Sequence, residues 1–414
     1  MPRLIFAALV LAAAAFASDS EDAPNVNSRY TIESCRVEGY RSSNISPELR
    51  TELESVVGQK FDQSLLDRIS ARIRRELRVN KVAAKVSRGS DPEYVRIEFL
   101  VENQRSTDFD LGVPMFTYNS KQGWSGKGEV RTTLAGSHLA LAVLSDGNSG
   151  VDRFSGVEAK ISRRLGSSRY SIGFEFDSYK EQWNPATEEA VAADPARAGG
   201  LYDSRLNFQP SLTIVLAEPL TLSVGVSVQS LKGQLPAATN ESSNAVLSGL
   251  RYHGSWSNGS TAQLLDAAYM LRAGMHGLGS DFGFVRNSID ARYQLTMGQQ
   301  VVIVSFLAGG ISGTAPLYER FVLGNSNTLR GWNKVELDPL GGNHVVHGSV
   351  EYRWRYFQAF YDTGAIWDRR IDAEQKQSVG FGVRSGSKDG ILLAVAFPLQ
   401  NGRMDPMFIA EIDF

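Results

Sequence analysis

From residue 109 to the C-terminus, apolar and polar residues alternate with a period of two, which places every second side chain on one face of a β-strand. The alternation recurs in segments of about ten residues over roughly three hundred residues, as is typical of membrane-spanning barrels with a polar lumen. We therefore predict a sixteen-stranded antiparallel transmembrane β-barrel over residues 105–414. Clear examples are Tyr170, Ile172, Phe174 and Phe176 in one strand and Leu220, Leu222, Val224, Val226 and Val228 in another.

Residues 30–104 follow a different pattern, in which helical spacing separates segments that alternate. Ser46-Pro47-Glu48 is a favourable helix start, with serine as the N-cap and proline in the first turn. A second helix has an apolar stripe that runs from Leu65 to Leu77. The predicted order is strand, helix, helix, strand, strand, which favours a small α+β (βααββ) domain with both helices on one face of a sheet.

The N-terminus has the features of an export signal. Arg3 is followed by an apolar run over residues 4–16, and Ala15-Phe16-Ala17 matches a cleavage site with small residues at its ends. We predict a signal peptide over residues 1–17 and a flexible lead over residues 18–29.

Composition narrows the classes of function. The 43 basic and 45 acidic residues nearly balance, so no nucleic-acid partner is predicted. Cys35 is the single cysteine, which excludes an internal disulfide, and His344 and His347 are interpreted as loop residues rather than metal ligands. The chain has no Gly-x-Ser-x-Gly, His-Glu-x-x-His or phosphate-binding glycine motif, so we expect no enzyme activity, catalytic residue, metal or cofactor.

A long join over residues 313–344 carries the most specific motif, Leu329-Arg330-Gly331-Trp332. Glycine lets an adjacent arginine approach backbone closely, and the guanidinium matches carboxylates. Glu351 and Asp362 follow on the next two strands, where the alternation points both side chains into the lumen. We predict that the join folds into the barrel and that Arg330 pairs with these carboxylates. The alternative is a solvated loop arginine.

With these residues in place, the chain resembles the superfamily of outer-membrane protein assembly factors and two-partner-secretion translocators, the BamA/TamA-like bacterial surface antigens. The resemblance covers the mature chain from about residue 30. It implies that residues 30–104 form a single POTRA domain in the periplasm and that the arginine motif anchors the loop. It also implies that the last strand, with Phe408, Ile412 and Phe414, is a C-terminal sorting signal, although a plain last strand would look similar.

The resemblance implies a bacterial outer-membrane protein that assists insertion of outer-membrane proteins or translocation of polypeptide clients without nucleotide hydrolysis. Its expected partners are outer-membrane lipid, unfolded polypeptide clients, and periplasmic chaperones or accessory lipoproteins. The alternative is a non-catalytic channel or surface structural protein on the same barrel. For the POTRA-like domain, an edge strand that accepts clients and a passive spacer both remain open.

Overall fold

The computed structural model describes residues 29–39, 45–77, 82–101, 110–166, 169–195, 200–233, 240–258, 261–385, 390–400 and 405–413. The chain divides into two compact units, Met1–Thr107 and Asp108–Phe414. The predicted signal peptide, the lead except for Arg29, and Phe414 lie outside the described residues.

The first unit has the predicted order of elements, β1 (Thr31–Gly39), α1 (Pro47–Val56), α2 (Gln63–Leu77), β2 (Val82–Arg88) and β3 (Tyr94–Val101). The sheet order is β1-β3-β2, with β1 parallel and β2 antiparallel to β3. Ser46 caps α1, since its hydroxyl accepts a hydrogen bond from the Leu49 amide at 3.2 Å. The apolar faces of both helices pack against Ile32, Ile97 and Phe99 of the sheet.

The second unit is a closed antiparallel barrel. Its strands are β4 (Asp110–Asn119), β5 (Gly123–Leu134), β6 (Ser137–Asp146), β7 (Arg153–Arg164), β8 (Tyr170–Gln182), β9 (Tyr202–Ala217), β10 (Leu220–Gly233), β11 (Asn240–Ser242), β12 (Ala245–Asn258), β13 (Thr261–Gly274), β14 (Phe284–Met297), β15 (Gln300–Gly313), β16 (His344–Trp354), β17 (Phe357–Trp367), β18 (Lys376–Arg384), β19 (Gly390–Pro398) and β20 (Met407–Asp413).

The barrel wall has sixteen strand positions among the described residues. The three-residue β11 and the longer β12 both pair with β10, so together they occupy one position. Each strand pairs with its neighbours along the chain, and β20 pairs with β4 to close the wall. The predicted sixteen-stranded antiparallel barrel is therefore confirmed.

The two faces of the wall differ as the period-two pattern predicts. In β16, His347, Ser349 and Glu351 are buried toward the lumen, whereas Val346 and Tyr352 alternate with them on the exposed outer face. An exposed apolar outer face is expected where a closed barrel wall meets lipid. Within the described parts of the chain, no helix is long and apolar enough to cross a membrane.

The join between β15 and β16 contributes to a hydrophobic cluster with the barrel wall. Leu317, Leu323, Leu329 and Leu340 of this join are almost fully buried. They pack with wall residues that include Phe284 and Val345 and with α3 (Pro185–Ala193), while the join itself contains α4 (Lys334–Leu337). The interpretation of His344 and His347 as loop residues was wrong, since both lie in β16.

Candidate functional site

The segment that carries the arginine motif is shaped by its own turn. The Asn325 side-chain oxygen accepts hydrogen bonds from the amides of Asn327, at 2.9 Å, and Thr328, at 2.7 Å. Leu329 then adopts a φ of 45° and Gly331 a φ of 99°, so the chain reverses sharply around Arg330. This conformation directs the Arg330 side chain toward the wall.

Arg330 makes its strongest contacts with Asp362 on β17. Its Nε donates to Oδ2 and its Nη2 to Oδ1, both at 2.8 Å, and its backbone amide donates to Oδ2 at 3.0 Å. Such a two-pronged arginine–carboxylate pair is strong and geometrically specific. Asp362 is 0% exposed and Arg330 is 9% exposed, so the pair is shielded from solvent.

A second carboxylate and an aromatic ring complete the surroundings of the guanidinium. Nη1 donates to Glu351 Oε2 at 3.0 Å, and Nη2 also donates to the Ser349 hydroxyl at 3.1 Å. The guanidinium carbon lies 3.5 Å from the centroid of the Phe360 ring. Arg353 donates to the other oxygen of Glu351 at 2.5 Å, so two arginines and two carboxylates balance in charge.

The other motif residues contact the wall on both sides of Arg330. The Leu329 amide donates to His347 Nε2 at 3.1 Å, and Trp332 Nε1 donates to the Gln377 carbonyl, on β18, at 2.9 Å. A Cβ at Gly331 would lie 3.1 Å from the backbone nitrogen of Pro398, on β19. The four motif residues therefore contact β16 to β19, and a side chain at residue 331 would crowd the backbone of β19.

Lys334, two residues after the motif, makes a further buried contact. Its ammonium donates to the carbonyls of Gly147 and Gly150, in the join between β6 and β7, at 2.7 and 2.8 Å. Burial lowers the pKa of Lys334 to about 8, and the nearby Asp152 and Asp146 carboxylates only partly oppose this shift. Sequence reasoning missed this residue, since a lysine in a polar join is ordinarily solvated.

The contacts around Arg330 hold the motif segment against the barrel wall. Both carboxylates are occupied by arginines, and in the described part of the chain no group of three or more His, Cys, Asp or Glu side chains could hold a metal ion. A polar cavity of about 320 Å³ lies beside the motif, and its lining includes Arg353, Gln358, Arg384 and Glu411.

Comparison with known protein families decides the class of the barrel. The sequence profile described as the Omp85 superfamily domain matches residues 80–407, most of the chain. The chain belongs to the Omp85 superfamily. The resemblance inferred from the arginine motif and the strand pattern is thereby confirmed.

This Omp85 chain is similar to one curated relative in part of its length. The relative is the outer membrane protein assembly factor BamA of Nitratidesulfovibrio vulgaris, 27% identical over 162 residues, which cover 33% of this chain and 20% of the relative. The chain thus matches only a fifth of the length of that relative.

Solved structures share the fold of this Omp85 chain at low sequence identity. BamA from Haemophilus ducreyi lacking POTRA domains 1–3 matches with a TM-score of 0.58 and 13% identity, covering 93% of this chain and 85% of that one. CdiB from Acinetobacter baumannii matches with a TM-score of 0.58 and 15% identity, covering 93% and 74%. CdiB from Escherichia coli matches with a TM-score of 0.51 and 11% identity, covering 96% and 93%.

Family membership and the closed barrel together support location in the outer membrane. Of the residues expected to form a sorting signal in this Omp85 chain, Phe408 is exposed on the outer face, Ile412 is half-buried, and Phe414 lies outside the described residues. The sorting role of these three residues stays a prediction.

Proposed function

We propose that this Omp85 barrel assists the insertion of outer-membrane proteins, or the translocation of polypeptide clients, by opening between β4 and β20 without nucleotide hydrolysis. The observation that carries the proposal is the short pairing at this seam. Among the described residues, the register joins Ile409–Ile412 to Asn119–Phe116, four residue pairs, whereas β16 and β17 are joined along eleven pairs. Fewer ladder hydrogen bonds make this seam the easiest place for the wall to part.

The first strand also has a free edge beside the seam. Within the described residues, the half of β4 from Asp110 to Met115 pairs with β5 but has no register partner on β20. A register shift between Gly112 and Met115 interrupts β4, and Pro114 within it has no amide hydrogen to donate. An unpaired edge of this kind can accept an extended strand of a client polypeptide.

We propose that the first unit is a POTRA domain in the periplasm, because its βααββ order of elements is the one on which the family resemblance rests. β1 and β2 are its sheet edges. A client segment or an accessory lipoprotein can add to such an edge. For the infolded join, the proposed role of Arg330, Glu351 and Asp362 is to anchor it inside the barrel.

A disulfide across the seam tests the proposal. Tyr118 and Ala410 are register partners on the outer face, and cross-strand partners lie close enough for a disulfide when both are cysteine. The matched control joins Val130 and Leu141, which are outward-facing register partners on β5 and β6. Cys35, the single native cysteine, is changed to serine in every variant.

The assay measures folding of a labelled outer-membrane protein, or export of a secreted client, in proteoliposomes without nucleotide. Oxidation should abolish activity of the Tyr118→Cys/Ala410→Cys variant, reductant should restore it, and the control pair should stay active in both states. Full activity of the oxidised seam variant would refute the proposal. Large steady conductance in planar bilayers, unchanged by oxidation and without client activity, would instead support the channel alternative.

A further inference from the structure

We propose that residues 324–334 form a strap that crosses the β4–β20 seam inside the barrel, with Asn119 and Asn148 as the residues that fasten its second end. The motif end of the strap is held by β16 to β19, as described above. The other end is held by the hairpins on the far side of the seam. The inference deepens the proposed function, on which it rests only in taking the seam as the place where the barrel opens.

The contacts at the second end centre on two asparagines. Asn119 Nδ2 donates to the Ser326 hydroxyl at 2.9 Å and to Asn148 Oδ1 at 3.2 Å. The same Asn148 oxygen accepts the Ser326 amide at 2.9 Å, and the Asn148 carbonyl accepts Asn325 Nδ2 at 2.9 Å. Gln122 Nε2 adds a bond to the Gly324 carbonyl at 2.6 Å. These bonds tie the strap to the β4–β5 turn and the β6–β7 join.

Asn119 is itself a seam residue. It is the last residue of β4, its register partner across the seam is Ile409, and it is 1% exposed. Its side-chain oxygen accepts the amides of Lys121, at 3.1 Å, and Gln122, at 2.7 Å, which shapes its own turn. The oxygen therefore accepts the backbone amides of the turn, whereas the amide nitrogen donates to the strap and also, at 2.8 Å, to the Gln122 side-chain oxygen. Aspartate at this position keeps the backbone bonds of the turn and removes the donor to the strap.

The contacts at the two ends of the strap differ in kind. At the motif end, the buried Arg330 pairs with Asp362 through charge-assisted bonds. At the other end, Asn119 and Asn148 make neutral hydrogen bonds, while Lys334 donates charge-assisted bonds to the carbonyls of Gly147 and Gly150. Charge-assisted bonds are roughly twice as strong as neutral ones. When the seam parts, the bonds to Asn119 should therefore break first, and the strap restrains opening of the seam until they do.

Amide hydrogen exchange, measured by mass spectrometry on the full-length protein in detergent micelles, tests the strap. The variant is Asn119→Asp/Ser326→Ala, in which aspartate keeps the acceptor oxygen for the turn and removes the donor to the strap. The matched control is Asn244→Asp/Ser227→Ala. The Asn244 side-chain oxygen accepts the Gln229 amide at 2.9 Å and its nitrogen donates to the Leu278 carbonyl at 2.8 Å, and Ser227, on β10, is 0% exposed; both residues lie away from the seam.

We expect the exchange rate in the β4 and β20 peptides, residues 116–119 and 407–413, to rise at least about five-fold in the strap variant. The loss of one net hydrogen bond shifts a local opening equilibrium by about this factor. Exchange in β16 and β17 should not change, and the control variant should leave the seam at the wild-type rate. If the double variant does not fold, Ser326→Ala and Ser227→Ala alone give the same comparison, with a smaller expected rise at the seam.

Wild-type exchange rates at the seam of the strap variant would overturn the inference. So would an equal rise in the control variant, because the effect would then be general loosening of the wall. The two proposals fail separately. Client activity that survives the oxidised seam disulfide defeats the proposed function, while the exchange comparison still decides whether the strap holds the seam.

Discussion

Arg330→Ala is the most informative single change to the anchoring motif. The substitution removes the guanidinium that donates two hydrogen bonds to Asp362 and one to Glu351. Glu351 keeps Arg353 as a partner. Among the described residues, Asp362 keeps the hydrogen bonds from the Ser349 hydroxyl, at 2.6 Å, and from the residue 330 amide, at 3.0 Å. The cost should therefore fall mainly on Asp362, a carboxylate with no exposure to solvent.

Removing one partner of a buried ion pair costs about 3–5 kcal/mol, because an uncompensated charge stays buried. We expect Arg330→Ala to lower the free energy of unfolding of the barrel by about this amount without preventing export. Replacing the carboxylate as well, in Arg330→Ala/Asp362→Asn, should recover about 1–3 kcal/mol, because a neutral amide is cheaper to bury than an unpaired carboxylate.

The assay is heat-modifiability on gels, in which the folded barrel and the unfolded chain migrate differently, combined with urea unfolding in detergent. Arg369→Ala is the matched control, since the Arg369 side chain is 80% exposed and pairs with Asp372 on the surface. The control should match wild type within about 0.5 kcal/mol. If Arg330→Ala is as stable and as active as Arg369→Ala, or if Asp362→Asn fails to improve it, the anchoring argument is refuted.

Three further predictions concern the same join. Gly331→Ala should lower the free energy of unfolding by about 1–3 kcal/mol, because φ is 99° and the new Cβ would lie 3.1 Å from the Pro398 nitrogen. Gly136→Ala is the control, since Gly136 has a φ of 78° but open space around it. Comparing the two variants in the same unfolding assay separates the cost of backbone strain from the cost of the close contact. Trp332→Phe should lower the free energy of unfolding by about 1 kcal/mol, because the indole Nε1 no longer donates a hydrogen bond to the Gln377 carbonyl. Equal stability of Trp332→Phe and wild type would show that this hydrogen bond does not stabilise the barrel. The pKa of Lys334 is about 8 in the folded state, against an ordinary value of 10.5. Between these two pH values the unfolded chain therefore binds more protons than the folded chain. The free energy of unfolding should rise with pH across this window, by up to about 3 kcal/mol. Unfolding midpoints measured at pH 7 and pH 10 should differ less in Lys334→Met, and an equal pH response in both proteins would count against the buried lysine.

The strand pattern, the number of strands and the face of each side chain followed from the sequence alone. Alternation is a local property, because successive side chains on a strand must point to opposite faces wherever the strand lies in the wall. For this reason the alternation by itself assigns His347, Ser349 and Glu351 to one face. The arginine motif and the two carboxylates could be recognised because residue types with matching chemistry lie on a long join and on the next two strands.

The tertiary structure decided which side chains meet across the lumen. Nothing in the turn Asn119-Ser120-Lys121-Gln122 indicates a contact with Ser326, which lies 207 residues away along the chain. Lys334 likewise resembles an ordinary solvated lysine until the join carries it to the carbonyls of Gly147 and Gly150. Such contacts depend on the closed register of the wall and on the path of the join through it. Both are set by the packing of the whole barrel, and no local pattern of residues predicts them.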